Sequence, residues 1–334
     1  MRVPAKLNLQ LAVGPPRADG YHDLVTVFHA VALFDEVTVE VAERDTVTVT
    51  GEGASTVPHD GDNLALRAVA ALRKQVRGGN RTAGVRVSIA KRIPVAAGLA
   101  GGSADAAAAL VAANELWAAG LAPPRLAEIA ATIGSDVAFA LLGGTAVGRG
   151  RGERLTPALA PATRYHWVLA FAEGQLSTPK VYAAQDRLRA SQGPGGPRGS
   201  GGTGSPSRTG GIPGGRPPGA STAPPGPAPL ALDTALMSAL RSGDAARLGR
   251  ALSNDLQPAA LSLYPALRKT LAAGLELGAL GALVAGSGPT CVFLAANAER
   301  ALELAVSLSG AGVCRSVARV TGPVPGAAVV PAQG

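Results

Sequence analysis

The sequence predicts an α+β fold. Two observations carry this. Segments with a two-residue apolar period occur at both ends of the chain, with helix-forming segments between and after them. Strands and helices do not, however, follow the strict succession of a doubly wound parallel sheet. The 334 residues suit two domains or one large one. A chain of that length buries a sizeable core without disulfide or metal staples.

Each element has its own signal. Leu7, Leu9 and Leu11 alternate with polar or small residues and predict the first strand. Val37, Val39 and Val41 alternate with Thr38 and Glu40, and Val47 and Val49 continue the period of two. Asn63 is placed to cap a helix running to about Arg77, with Leu64, Ala68, Leu72 and Val76 on one face. Gly84 to Ala90 reads as a strand, with Val85, Val87 and Ile89 on one side. The Ala-rich stretch Ala104 to Ala119 is a strong helix former. Further on, helices are expected near Leu230–Arg241 and Ala245–Leu252, and strands near Leu283–Ala285 and Thr290–Ala295. A helix near Ala298–Leu308 and a strand near Cys314–Val320 close the fold.

Composition narrows the function classes. Between Ser191 and Pro229, 13 glycines and 10 prolines fall among 39 residues, and Ile212 is the one large aliphatic side chain. Such a tract cannot bury enough apolar area to offset its ordering entropy, so 192–229 is expected to be a disordered insertion. Gly199–Gly204 inside it matches G-x-G-x-x-G, but no strand precedes it and no helix follows, so it is rejected as a dinucleotide loop. Aromatic residues make up 3% of the chain and no dense Lys/Arg stripe occurs, which argues against a nucleic-acid module. The net charge of +8 suits either an anionic ligand or a plainly solvated surface. Cys291 and Cys314 cannot form a disulfide framework, and with their apolar surroundings they fit a reducing, cytoplasmic setting. Met1–Gln10 lacks the apolar stretch of a signal peptide. Leu277–Ala298 is uncharged, but Gly286-Ser287-Gly288-Pro289 breaks it, so it reads as strand, loop, strand and not as a membrane span.

Five features could carry chemistry. Pro94-Val95-Ala96-Ala97-Gly98-Leu99-Ala100-Gly101-Gly102-Ser103-Ala104-Asp105 runs from a predicted strand into a helix. Such a loop either directs backbone N–H groups and the helix dipole at an anion or is only a tight turn. It is not a Walker loop, because the chain has no Gly-Lys pair. Asp136 is one carboxylate in the apolar segment Ile133–Phe139, fit for a general base, a metal ligand or a helix cap. Lys6 stands alone in a predicted strand; if it faces inward it needs an anion. Arg17-Ala18-Asp19-Gly20-Tyr21-His22 is a turn that presents a ring and an imidazole, either to a ligand or to solvent. Ala285–Thr290 is a small-residue loop, either a plain turn or a place where backbone approaches a ligand.

Pro4-Ala5-Lys6-Leu7-Asn8, Asp19-Gly20-Tyr21-His22, Gly98–Ser103 and Gly286-Ser287-Gly288-Pro289 stand in the order found in GHMP kinases, which the chain resembles over almost its whole length outside 192–229. The opening Pro-Ala-Lys-x-Asn and Asp-Gly-Tyr-His pair is similar to the branch that acts on a cytidyl-diphospho-methylerythritol, while other members share only the glycine loop. The resemblance implies a two-domain α+β fold with the active site in the cleft between domains. The domains would be 1–160, and 161–191 joined with 230–325. It implies ATP-dependent phosphorylation of that substrate's 2-hydroxyl, a step of the non-mevalonate isoprenoid pathway. Lys6 and Asp136 match the catalytic pair, and Pro94–Ala104 the ATP phosphate loop. Asn8, Tyr21 and His22 match the cytidine side, and Lys91, Thr178 and Tyr182 positions near the adenosine. Mg²⁺ would ride on the phosphates, with no dedicated metal cage and Ser103 as the candidate contact. The expected partner is a small molecule, with no nucleic acid or membrane, in a monomer or weak homodimer. Ala104 stands where many relatives have a second serine, and the insertion is not a feature of the family.

Overall fold

The computed structural model describes residues 1–76, 84–159, 161, 163–192 and 230–330. It is an α+β fold built on two sheets. β1 (Arg2–Pro16) and β2 (His22–Ala42) form a long antiparallel hairpin. β2 has 21 residues and serves three partners. Its first part lies between β1 and β5 (Thr145–Gly150). Its second part pairs with β4 (Gly84–Lys91), which pairs in parallel with β3 (Thr46–Gly51). β6 (Arg154–Pro157) pairs with β5, and the short β8 (Ser253–Asn254) adds to β1. The other sheet is antiparallel, in the order β11 (Ser316–Gly322), β7 (Tyr165–Phe171), β10 (Cys291–Ala295), β9 (Gly281–Val284).

Four helices cover the first sheet: α1 (Leu64–Arg73), α2 (Gly101–Leu116), α3 (Pro123–Ile133) and α4 (Ser135–Leu142). The Asn63 side chain caps α1 by accepting from the Ala65 N–H at 2.9 Å, as its position predicted. The helix is a turn shorter than expected, with Lys74 as its C-cap. α2 is not amphipathic; Ala104 and Ala106–Ala109 are all buried. Alanine lets this helix sit enclosed between α1, α4 and β2. It starts three residues before the predicted Ala104 because Gly101 and Gly102 join its first turn, and it stops where Ala118 turns to φ 47°.

Both faces of the second sheet are buried. Trp167, Leu169, Phe171, Val292 and Leu294 join the core under the first sheet, together with α6 (Thr234–Ser242) and α7 (Ala245–Ala251). Val168, Ala170, Cys291, Phe293 and Ala295 face the second core. That core is closed by α5 (Thr178–Gln192), α8 (Gln257–Leu263), α9 (Leu267–Glu276) and α10 (Ala298–Gly310). A strand buried on both faces reads as a continuous apolar run, which is why Tyr165–Phe171 gave no alternation to detect. Of the expected insertion, Gln192 ends α5 and 193–229 lie outside the described residues. No described helix is long and apolar enough to cross a membrane.

His29 on β2 is fully buried against Tyr165 and Trp167, with Nδ1 2.8 Å from Thr145 Oγ1. Burial lowers its pKa from 6.5 to about 3, against a smaller raising contribution from a hydrogen bond to the Gly322 backbone. The unfolded chain therefore binds a proton at this residue, below pH 6.5, that the folded chain refuses. The stability this residue contributes should be complete above pH 6.5 and be lost toward pH 3. The slope from this residue is about 1.4 kcal/mol per pH unit. Urea unfolding of His29→Gln across that range should show a shallower acid limb; an unchanged limb would mean that other groups set it.

Candidate active site

A cavity of about 730 Å³ opens where elements of both sheets meet. Its first wall is β1. Leu7 and Leu9 face the core, so Lys6 and Asn8 share the other face; a bulge between Asn8 and Gln10 then shifts the alternation, and Leu11, not Gln10, continues along the cavity. Lys6 is nearly buried and faces inward. Its ammonium donates to Asn8 Oδ1 at 2.7 Å. Asn8 is aimed in turn: its Nδ2 donates to Thr26 Oγ1 at 2.8 Å, and the Thr26 hydroxyl donates to the Gln10 carbonyl at 2.7 Å.

Asp136 lies in the first turn of α4, and its Oδ2 is 3.9 Å from Lys6 Nζ. It does not cap its helix; Gly134 occupies that position and no side chain bonds the free N–H groups. The capping alternative is thereby removed, and the carboxylate is turned into the cavity.

The loop after β4 forms the floor. Ala96, Gly98 and Ala100 have φ of 53°, 79° and 59°, three left-handed residues in five. Such backbone is held only where the surroundings over-determine it, a common condition of ligand loops. The Lys6 N–H donates to the Leu99 carbonyl at 3.2 Å and stitches the loop to β1. No side chain caps α2, so its first N–H groups remain free for an anion, and Gly101, Gly102 and Ser103 line the cavity there. Leu99 and Ala104 belong to the same loop segment but are buried in the core. The hydroxyl that Ala104 lacks is therefore absent from the core side of α2.

The second small-residue loop closes the site from the other sheet. Gly286 sits so close that a Cβ would lie 3.2 Å from Lys6 Nζ. Ser287 Oγ meets Thr178 Oγ1 at 2.9 Å, tying the start of α5 to this loop. Further along α5, the Tyr182 and His22 rings lie 4.9 Å apart, and His22 Nε2 is 3.0 Å from Asp186 Oδ1. Burial, with the Asp136 carboxylate adding to it, pushes the Tyr182 phenol up to about 12. His22 and Tyr182, which the resemblance set on opposite sides of the site, are thus brought ring to ring. Tyr21 is exposed on the hairpin turn, under the guanidinium of Arg151, itself part of the cavity wall.

Lys91 ends β4 with its ammonium donating to Asp35 and to Asp105. Burial pulls this ammonium down, but the Asp105 and Asp35 carboxylates outweigh it and hold its pKa above the usual lysine value. Burial, reinforced by Asp35 and opposed by Lys91, pushes the Asp105 carboxyl well above the usual range. Asp35, Asp105, Asp186, Thr26 and Arg151 were not singled out from the sequence. Asp105 could have been, as a lone acid in an alanine run.

The match to known proteins follows this geometry. The model of the GHMP kinases N terminal domain matches residues 63–144, and that of the GHMP kinases C terminal domain matches 236–314. Fold, loop and models define the class: a small-molecule kinase that uses ATP. The chain is 52% identical over 332 residues to the 4-diphosphocytidyl-2-C-methyl-D-erythritol kinase of Mycolicibacterium smegmatis, covering 99% of this chain and 92% of the relative. It is 51% identical over 338 residues to that of Thermobifida fusca, covering 99% and 97%. A crystal structure of 4-(cytidine 5'-diphospho)-2C-methyl-D-erythritol kinase superposes with a TM-score of 0.67 at 31% identity, covering 96% of this chain and 98% of that one. A homoserine kinase from Cytophaga hutchinsonii, at 17% identity and TM-score 0.65 over 98% of this chain and 94% of that one, shares the fold. The chain belongs to the 4-diphosphocytidyl-2-C-methyl-D-erythritol kinase family of GHMP kinases.

Proposed function

We propose that this kinase transfers the γ-phosphoryl group of ATP to the 2-hydroxyl of 4-diphosphocytidyl-2-C-methyl-D-erythritol, with Asp136 as general base and Lys6 as its electrostatic partner. The observation that carries this is the Lys6–Asp136 pair at 3.9 Å, in one cavity with the uncapped start of α2. Phosphoryl transfer through a loose transition state needs alignment and charge neutralisation more than covalent chemistry. The free N–H groups and dipole of α2 hold the polyphosphate. Asp136 accepts the proton of the attacking hydroxyl. Lys6, kept in place by Asn8, stabilises charge developing on the transferred group.

No described cluster of three histidine, cysteine or acidic side chains could cage a metal. Mg²⁺ would be held chiefly by the phosphate oxygens, with the Ser103 hydroxyl on the cavity wall as its protein contact. When bound it neutralises phosphate charge. The domain division at about residue 160 and the cytoplasmic setting belong to this reading.

His22, Tyr182 and Asp186 serve the cytidine. An imidazole fixed by a carboxylate presents one defined edge to a base, and the phenol ring extends a stacking face. His22→Ala is expected to raise the Michaelis constant for the cytidyl substrate about tenfold or more, the cost of losing a specific buried hydrogen bond. Turnover at saturation should change far less. A fall confined to turnover would remove His22 from substrate binding. The decisive assay offers ATP with the cytidyl substrate, homoserine or mevalonate in parallel. Phosphorylation of either of the last two and none of the first would overturn the substrate assignment.

A further inference from the structure

We propose that Lys91, Asp35 and Asp105 form a buried clamp that holds the phosphate loop in its anion-binding shape, and that Lys91 serves nucleotide binding through this clamp instead of touching the nucleotide. The inference rests on the reading that Pro94–Ser103 receives the ATP phosphates.

The three residues come from three elements. Asp35 is on β2, Lys91 is the last residue of β4, and Asp105 is in the second turn of α2. Lys91 and Asp105 are 14 residues apart and stand on either side of the loop. The Lys91 ammonium donates to Asp105 Oδ2 at 2.7 Å and to Asp35 Oδ2. The other Asp35 oxygen accepts from the Arg92 N–H at 2.6 Å and the Ile93 N–H at 2.8 Å. One carboxylate thus fixes the chain as it enters the loop, and the ammonium fixes it as it leaves. A Cβ on Gly101 would lie 3.1 Å from Lys91 Nζ, so the ammonium sits directly beneath the first turn of α2.

Burial and charge both favour a mechanical role. Lys91 and Asp105 border the cavity, yet the side chains of Lys91, Asp35 and Asp105 are only 1%, 0% and 4% exposed, and the polar atoms of Lys91 and Asp105 are turned toward each other. A cluster meant to attract phosphate would leave positive charge unpaired, whereas here the one ammonium is already met by two aspartates. What remains is geometry. Buried ionic networks are costly to build, and removing one member leaves an uncompensated charge, so they hold their neighbours to one arrangement. A loop with three left-handed residues needs such a restraint.

The test measures ATP affinity by titration calorimetry without co-substrate, beside the Michaelis constants for ATP and the cytidyl substrate. Lys91→Met and Asp105→Ala should each weaken ATP binding about tenfold or more, the scale at which displaced loop atoms lose contact. The Michaelis constant for the cytidyl substrate should move much less. The double variant should bind ATP no more weakly than Lys91→Met, because both changes break one clamp. Asp105→Asn, which keeps an oxygen facing Lys91, should recover most of the affinity lost in Asp105→Ala. If Lys91→Met lowers ATP affinity and Asp105→Ala does not, Lys91 touches the nucleotide and the clamp is wrong. A lower melting temperature with unchanged ATP affinity would equally overturn it, as a scaffold without effect on the loop. If Lys91→Met does not fold, the Asp105→Ala and Asp105→Asn pair decides the question. A wild-type chain that binds ATP but leaves the cytidyl substrate untouched would sink the substrate reading and leave the clamp standing.

Discussion

Asp136→Asn is expected to lower turnover by about 10² or more, the usual contribution of a positioned general base. Its Michaelis constant for ATP should stay within about threefold of the wild-type value, because the change is isosteric and the floor of the site is built by other residues. The amide still accepts a hydrogen bond but cannot take a proton from the attacking hydroxyl at neutral pH. Lys6 keeps its bond to Asn8, so the constellation should not collapse. Lys6→Met should reduce turnover on a similar scale. The two losses should not multiply, since each residue acts through the other. Unchanged turnover in Asp136→Asn would mean that the proton leaves by another route, and would end the assignment of Asp136 as base.

Gly98→Ala is expected to abolish measurable ATP binding and to lower the melting temperature. The left-handed backbone is not the main obstacle. Ala96 and Ala100 in the same loop hold φ of 53° and 59° with a Cβ in place. At Gly98 the added Cβ would lie 2.0 Å from the Ala285 carbonyl oxygen, far inside contact distance, and backbone stands on both sides. The two glycine loops would have to part, and with them the wall that Gly286 makes beside Lys6. The control is Gly120→Ala, at φ 62° with open space around it. It carries only the strain of a left-handed alanine, about 1 kcal/mol. If Gly98→Ala behaved like Gly120→Ala, the loops would have room to yield and the close approach would have no function. Differential scanning calorimetry with and without ATP reads both variants.

The sequence and the structure agree most where a local signal had one physical cause. Lys6 and Asn8 alternate with Leu7 and Leu9, and that alternation by itself puts them on one face of β1; the bulge that turns Gln10 away carries no such signal. Asn63 caps α1 because a short acceptor before an apolar-periodic run has little else to do. Asp136 was legible as an odd carboxylate, but three roles stayed open until α4 and β1 were brought together. Lys91 was legible only as a motif position, and its partners lie 56 residues back and 14 ahead. α5 showed no face pattern, because its residues are divided between the second core and the cavity.

Residue pattern alone therefore determined the α+β class and the glycine loop with the helix behind it. These follow from backbone freedom and apolar periodicity, which act over a few residues. Tertiary structure decided which side chains meet. The approach of Asp136 to Lys6, the contact of His22 with Tyr182, the closure of the Gly286 loop onto the Gly98 loop and the three-element clamp at Lys91 are all contacts between distant segments. Such contacts arise when two sheets and their helices bury a shared core, and that burial is set by the whole chain and by no single stretch of it.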